Sequence, residues 1–187
     1  IQLVLYMPNF ISVIVLCGIV RILLSPTGMV NMLLGTSYNF MTMPQAFRTI
    51  YIASGIWQGA GWGSIIYTAA LSNASKDLKE AAVLDGANII QQIKAVEWPA
   101  IKDTVLIQFI MSVGNIMSIG FEKAYALQTD LNMASSEIIS TYVYKQGLIN
   151  GDYSFSTAVG LFNTVINVIL LISMNAVVKK MNDGKGI

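Results

Sequence analysis

The chain of 187 residues is 55% hydrophobic and 11% charged, against roughly 45–50% and 25% in an ordinary soluble domain, which excludes a typical water-soluble globule. Its 11 basic and 10 acidic residues, net charge of +1 and mean hydropathy of +0.62 exclude a nucleic-acid binder, which needs a concentrated basic face, and a disordered chain, which needs high charge and low hydrophobicity. With no histidine and Cys17 as the single cysteine, no Ser-His-Asp, Cys-His or histidine-liganded metal site and no intrachain disulfide is expected, so a self-contained enzyme is not either.

A membrane-spanning helix needs about 20 mainly apolar residues, because backbone polar groups in hydrocarbon must be satisfied within the helix. Four segments meet this: residues 3–24, 50–71, 104–121 and 157–178. Pro8 is expected to kink the first, and Arg21 lies near enough to its end to snorkel. No linker, repeat or low-complexity stretch divides the chain, so one membrane domain is expected over 1–187. Its loops are a cytoplasmic one at 72–103 and an external one at 122–156.

Basic residues give the orientation. Lys76, Lys79, Lys94, Lys102, Lys179, Lys180 and Lys185 fall on one side of a four-span chain, and Arg21, Arg48, Lys123 and Lys145 on the other, which places the 72–103 loop and the C-terminus in the cytoplasm. The chain begins at Ile1, with no methionine start and no signal-peptide n-region, and is expected to be truncated there.

The second segment carries Gly55, Gly59 and Gly63 at intervals of four, extended by Ala60. That stripe suits close helix packing in lipid. Trp57, Gln58 and Trp62 lie among these glycines. Aromatic rings suit the apolar faces of sugars and a carboxamide can bond hydroxyls, but tryptophan also favours membrane interfaces.

In the 72–103 loop, Ser75 is placed to cap a short helix with Asp77 and Glu80 in its early turns, where carboxylates meet the positive end of the helix dipole. Gly86 suits its termination. A second amphipathic helix is expected over Ile89–Val96, and Pro99 is expected to close the loop. Periodicity alone leaves two roles open, an interfacial helical hairpin or a docking element for a cytoplasmic partner.

The third segment aligns Gln108, Ser112, Asn115, Ser118 and Glu122 on an arc of about 120° at ~100° per residue. Phe109, Ile110 and Met117 make the opposite face apolar. Such an arc fits a watery translocation pathway or hydrogen bonding between helices. In the fourth segment Ser156, Gly160, Asn163 and Asn167 repeat the theme. The external loop is expected to hold an amphipathic helix opened by Glu137 and containing Ile138, Tyr142 and Val143, with Asp130 and Asp152 in turns.

The segment EAAVLDGANIIQQIKAVEWP resembles the EAA loop of permease subunits of bacterial ABC importers, whose pattern is Glu-Ala-Ala, three residues, Gly, nine residues, Ile, one residue, Leu-Pro. Glu80, Ala81, Ala82, Gly86 and Pro99 match it, with Val96 in place of the Ile and Trp98 in place of the Leu. GIWQGAGWGSIIYTAAL, GFEKAYAL, ISTYVYKQGL and YSFSTAVGLFNTVIN resemble the branch that imports carbohydrates, particularly polysaccharides and complex oligosaccharides. The resemblance runs through nearly the whole chain. It implies an all-α polytopic membrane helix bundle, the type I ABC importer permease fold, here expected to lack the first two of its usual six spans.

What the resemblance implies for function is a multi-pass subunit of the bacterial plasma membrane that catalyses no covalent chemistry. No catalytic residue, cofactor or metal is expected, and no GxxxxGK[ST] phosphate loop occurs. The implied partners are a second permease subunit, cytoplasmic ATP-binding subunits that hydrolyse ATP, an extracytoplasmic sugar-binding protein, the carbohydrate substrate and membrane lipid. Glu80, Ala81, Ala82, Asp85 and Gly86 would couple to the ATPase, the helix sitting in a cleft of that partner. Gln58, Trp62, Asn115 and Ser118 would line the sugar pathway, with Glu122 near its outer mouth. The alternative is a secondary carrier or channel subunit that needs no ATPase.

Overall fold

The computed structural model describes residues 2–117 and 119–181. Ser118 and Lys185, which carried expectations above, lie outside them. All regular structure among the described residues is helical: α1 Gln2–Tyr6, α2 Val13–Leu23, α3 Met29–Leu34, α4 Pro44–Ser72, α5 Lys76–Leu84, α6 Ile89–Gln92, α7 Trp98–Gly114, α8 Phe121–Leu127, α9 Met133–Ser136, α10 Ile139–Tyr144 and α11 Tyr153–Met181, with short 3-10 and π turns between them. The chain forms two compact units, residues 1–62 with 118–164, and residues 63–117 with 165–187.

The expected second and fourth spans fall wholly inside α4 and α11, each a helix of 29 residues. Among the described residues, Tyr153–Lys180 is long and apolar enough to cross a membrane, and Gln2–Phe10 passes with Val13–Leu23 only as a pair bent by 103°. The first segment is thus broken rather than kinked. Pro8 sits in a 3-10 turn, Met7–Phe10, and the chain re-enters helix after Ser12, whose hydroxyl accepts from the Val15 amide at 3.3 Å. Proline tolerates the first positions of a helical turn but supplies no amide to continue an α-helix from the preceding turn.

In the first unit the core gathers Leu16, Cys17, Met41, Phe47 and Leu127, drawn from α2, the turn before α4, α4 itself and α8. The Arg21 guanidinium donates to the carbonyls of Ala126 and Gln128, so it terminates α8 from a neighbouring helix, where a cation suits the negative end of the dipole. Two buried asparagines tie down the irregular stretches. The Asn31 carboxamide donates to the carbonyls of Ser25 and Tyr38, both at 2.7 Å, and accepts from Thr36 Oγ1 at 2.7 Å. Asn132 links Met41 and Leu127 in the same way.

Of the glycine stripe of α4, Gly55 meets a neighbour within the described residues: a Cβ there would lie 3.1 Å from Lys123 Nζ. A Cβ at Gly59 or Gly63 would meet nothing within 4 Å, whereas one at Gly61 would strike the Leu5 carbonyl. Gly61 is where α1 crosses α4. In the second unit the close approach is at Gly114, whose absent Cβ would lie 2.9 Å from Leu171 Cδ1 on α11. The expected external helix begins two residues late. Ile138 precedes it, its amide donating to Thr141 Oγ1 at 3.0 Å, and Glu137 pairs with Lys145 at 3.0 Å. Asp152 is a cap, accepting from the Phe155 amide at 3.0 Å at the start of α11.

Candidate functional site

The loop between α4 and α7 is built from strong local signals. Ser75 caps α5, its Oγ accepting from the Leu78 amide at 3.4 Å, with Asp77 in the first turn. The helix ends as its sequence demands: Ala87 N–H donates to the Ala82 carbonyl at 2.9 Å, Gly86 N–H donates to Val83 at 3.0 Å, and Gly86 adopts φ +75. This double closure satisfies the orphan carbonyls only if the residue after the cap is left-handed, which glycine does without a Cβ penalty. Asn88 and Gln91 then close a reciprocal capping box on α6.

The expected second helix runs on past its limit. After α6 the chain widens into a π turn over Ile93–Glu97 and passes straight into α7, with Pro99 in that helix's first positions. Pro99 therefore does not close the loop. It has no amide to donate to the preceding turn, and widening the helix there accommodates its ring without leaving helical geometry. An ion pair of 2.8 Å between Lys79 and Glu97 joins α5 to this π turn, and a cleft of about 410 Å³ lies between them, lined by Ser75, Lys76, Lys79, Val96 and Glu97.

Glu80, Ala81, Asp85 and Gly86 are exposed and Ala82 is half-buried. No side chain of α5 is buried, yet Leu78, Val83 and Leu84 are 60%, 56% and 88% exposed, and Ile89 and Ile90 are exposed beside them. A capped helix that offers apolar side chains outward is a surface suited to contact with a partner or with a membrane interface.

The expected polar arc of the third span is not one helical face. α7 stops at Gly114, and Asn115 turns away at φ −107 ψ 10, its Nδ2 donating to the Met111 carbonyl at 3.0 Å. Only Gln108 and Ser112 share the helix, and Ser112 Oγ donates back to the Gln108 carbonyl at 2.8 Å. Gln108 also lines a cleft of about 410 Å³ with Ile66, Ala69, Asn73, Thr104 and Ile107. Glu122 belongs to a separate helix, α8. The glycine just before the break, Gly114, is the physical reason: it packs against Leu171 and is a weak helix former.

In the first unit, Gln58 and Trp62 are brought together at the break after α1. Gln58 Nε2 donates to the Ile11 carbonyl at 3.0 Å, and Trp62 meets Phe10 edge to face at 5.7 Å. Both side chains support the bend, and Trp62 remains half exposed.

Sequence reasoning used Lys123 only as an orienting charge, and missed its site. It is 8% exposed, its ammonium donates to the Tyr51 carbonyl at 2.8 Å and lies 4.8 Å from the centre of the Tyr51 ring. Burial pushes its pKa below the usual lysine range, and Cys17 nearby opposes the shift. The signal available was a lysine next to Glu122 in the mainly apolar run GFEKAYAL. No group of His, Cys, Asp and Glu among the described residues could hold a metal ion.

The family described as "Binding-protein-dependent transport system inner membrane component" matches residues 1–183. The chain is 34% identical to the protein LplB of Bacillus subtilis (strain 168), over 97% of this chain and 59% of that one. It is 36% identical to the polygalacturonan/rhamnogalacturonan transport system permease protein YteP of the same strain, over 98% and 59%. A crystal structure of a bacterial ABC transporter involved in the import of the acidic polysaccharide alginate contains a chain that superposes with a TM-score of 0.93 at 35% identity, covering 97% of this chain and 65% of that one. A second, of the bacterial alginate ABC transporter in complex with an alginate pentasaccharide-bound periplasmic protein, gives 0.94 at 34% identity, covering 100% and 66%. The chain spans 59% of the length of each of the two Bacillus relatives.

Proposed function

The chain belongs to the family of binding-protein-dependent transport system inner membrane components, and from that membership we propose that the protein works as a permease subunit of an ATP-driven carbohydrate importer. Its all-α fold is that of polytopic ABC-importer permeases, and it is a bacterial membrane protein. The proposed partners are a second permease subunit, a pair of cytoplasmic ATPases and an extracytoplasmic sugar-binding protein. The proposed cargo is a polysaccharide or complex oligosaccharide, since the relatives serve polygalacturonan, rhamnogalacturonan and alginate. The protein itself makes and breaks no covalent bond.

The observation that carries this reading is the α5 element. Ser75 caps it, Gly86 closes it at φ +75, the Lys79–Glu97 pair joins it to the root of α7, and its apolar side chains stand exposed. Such an element transmits a push only if it is rigid and its outer face is held by the partner that pushes. Leu78, Val83 and Leu84 supply the apolar contact, Glu80 and Asp85 the polar ones, and Ala81 and Ala82 keep the surface low enough for close approach.

For the sugar path, Trp62, Asn115 and Glu122 are exposed and keep the assignment drawn from the sequence, with Ser118 beside them in the chain. Gln58 is assigned there through its free oxygen, its amide being committed to Ile11. The test is reconstitution of the full-length protein with its second permease, ATPases and binding protein, followed by uptake of labelled oligosaccharides. ATP-dependent accumulation that Leu84→Glu abolishes, together with loss of ATPase co-purification, supports the reading. Uptake that survives without any ATPase overturns it in favour of a secondary carrier.

A further inference from the structure

The two helices that flank the 72–103 loop, α4 and α7, border a cleft of about 410 Å³ in the second unit, with Ile66, Ala69 and Asn73 on one side and Thr104, Ile107 and Gln108 on the other. Its size falls within the roughly 300–1,000 Å³ of small-molecule clefts. Ala69 contributes only a methyl group there, which leaves the space open.

Three of these side chains are polar and none is charged. Hydroxyls elsewhere on the two helices are satisfied by their own backbone: Thr68 Oγ1 donates to the Ser64 carbonyl at 2.9 Å, Ser72 Oγ to the Ala69 carbonyl at 2.7 Å and Ser112 Oγ to the Gln108 carbonyl at 2.8 Å. Among the described residues, neither the Thr104 hydroxyl nor the carboxamides of Asn73 and Gln108 make a hydrogen bond within the chain. Thr104 and Gln108 lie four residues apart on α7 and so share a face, and Asn73, just past the end of α4, lines the cleft with them. A hydroxyl and two carboxamides each donate and accept, as the neighbouring hydroxyls of a sugar ring do.

The cleft also continues the faces on which the sugar path is proposed. On α4 the series Gln58, Trp62, Ile66, Ala69 and Asn73 advances by four, four, three and four residues, and on α7 Thr104, Gln108 and Ser112 advance by four. Each series keeps to one side of its helix.

We propose that Asn73, Thr104 and Gln108 form a release subsite, where one pyranose unit of the oligosaccharide rests by its hydroxyls at the cytoplasmic end of its path. The proposal rests on the carbohydrate-import reading and on the cytoplasmic side assigned to the 72–103 loop. A path needs successive sites that bind well enough to be entered and weakly enough to be left. This one is built to hold weakly, since among the described residues neither a charged nor an aromatic side chain lines it. It reads hydroxyls and is indifferent to the charge of the sugar.

The experiment uses the full-length protein in its assembled transporter. Uptake of galacturonate, alginate and glucose oligomers into proteoliposomes first identifies a transported oligomer, which then serves as the probe. Ala69→Cys places a thiol in the cleft at an exposed position without touching the three polar groups, while Cys17 is buried and adds little labelling. In nucleotide-free inside-out membrane vesicles, a membrane-impermeant maleimide is expected to label the Ala69→Cys variant, and the transported oligomer to slow that labelling. Adding Gln108→Leu should raise the concentration that gives half-protection about fivefold, as for loss of one net hydrogen bond, and Thr104→Val should do the same. A thiol that stays unreactive with or without sugar means that lipid or another helix fills the cleft, and overturns the subsite. So does labelling that the transported oligomer leaves unchanged, or protection untouched by Gln108→Leu and Thr104→Val. Each of these leaves sugar import standing. Absence of ATP-dependent uptake for every oligomer overturns the import reading, and the subsite with it.

Discussion

The Gln58 carboxamide donates a 3.0 Å hydrogen bond to the Ile11 carbonyl, at the point where the helical path of the first segment bends by 103°. Ile11 lies between two helical stretches, so its carbonyl has no continuing helix to satisfy it. A buried unpaired carbonyl costs about 1–3 kcal/mol. Replacing Gln58 with Leu is therefore expected to lower the thermal unfolding temperature of the full-length protein in detergent by several degrees. A Gln58→Leu variant that melts with the parent and loses uptake alone would make Gln58 a sugar contact rather than a support of the bend.

That pairing also shows where sequence reasoning stops. Gln58 and Trp62 were legible as unusual residues in an apolar helix, because polar and aromatic side chains there need a partner. Which partner depends on Ile11 and Phe10, separated by about fifty residues of chain, and no periodicity carries that information. The α5 element was legible in full, since a serine cap, an acidic first turn and a terminating glycine act within one or two turns. The polar arc failed for the opposite reason. Its spacing assumed an unbroken helix past Gly114, and the tight packing of that glycine against Leu171 is a tertiary fact. Lys123 was visible only as a charge, because its partners are a backbone carbonyl and a ring on another helix.

Gly86 offers a direct test of the coupling element. At φ +75 a β-branched side chain is strained by about 1–3 kcal/mol. Gly86→Val should unwind the double closure of α5, abolish uptake and reduce co-purification of the ATPase, with membrane insertion unchanged. Normal values for both would remove the coupling role from this loop.

The two kinds of glycine in this chain should respond in opposite directions. Gly114→Val forces atoms against Leu171 Cδ1, already 2.9 Å from where a Cβ would sit, and overpacking of that kind costs about 1–3 kcal/mol. Gly59→Ala meets nothing within 4 Å and removes a poor helix former, which gains up to about 1 kcal/mol. Thermal unfolding of the two full-length variants should bracket the parent, the first below and the second at or above it. A destabilised Gly59→Ala would mean that a partner subunit packs on that face.

The Lys79–Glu97 pair separates stability from coupling. Its partners are 55% and 30% exposed, so solvent screening limits its worth to about 0–1 kcal/mol. Lys79→Glu should barely move the melting temperature, yet it places like charges where α5 meets the root of α7 and should raise the ATP hydrolysed per sugar transported. The double exchange, Lys79→Glu with Glu97→Lys, should restore that ratio. Failure of the exchange to restore it would leave the pair without a role in transmission.

The largest loss of stability is expected at Asn132, a residue with no functional assignment. It is 1% exposed. Its Nδ2 donates to the Met41 carbonyl at 2.8 Å and to Leu127 at 3.1 Å, and its Oδ1 accepts from the Thr129 amide at 2.9 Å and from Ser136 Oγ at 2.7 Å. One side chain thus joins the turn before α4 to the end of α8 and to α9, and two of the residues it holds, Met41 and Leu127, belong to the core of the first unit. Alanine there leaves several buried polar groups without partners, at about 1–3 kcal/mol each before any relaxation. Aspartate keeps the acceptor but turns a carboxylate toward two carbonyls, and should be no better. Asn150, whose Nδ2 donates to Gln146 Oε1 at 2.9 Å near the surface, provides the comparison, because exposed substitutions stay within about 0.5 kcal/mol. Thermal unfolding of the full-length protein should place Asn132→Ala and Asn132→Asp far below Asn150→Ala. If all three melt together, water or a neighbouring subunit satisfies the groups that Asn132 holds, and the first unit does not depend on this link.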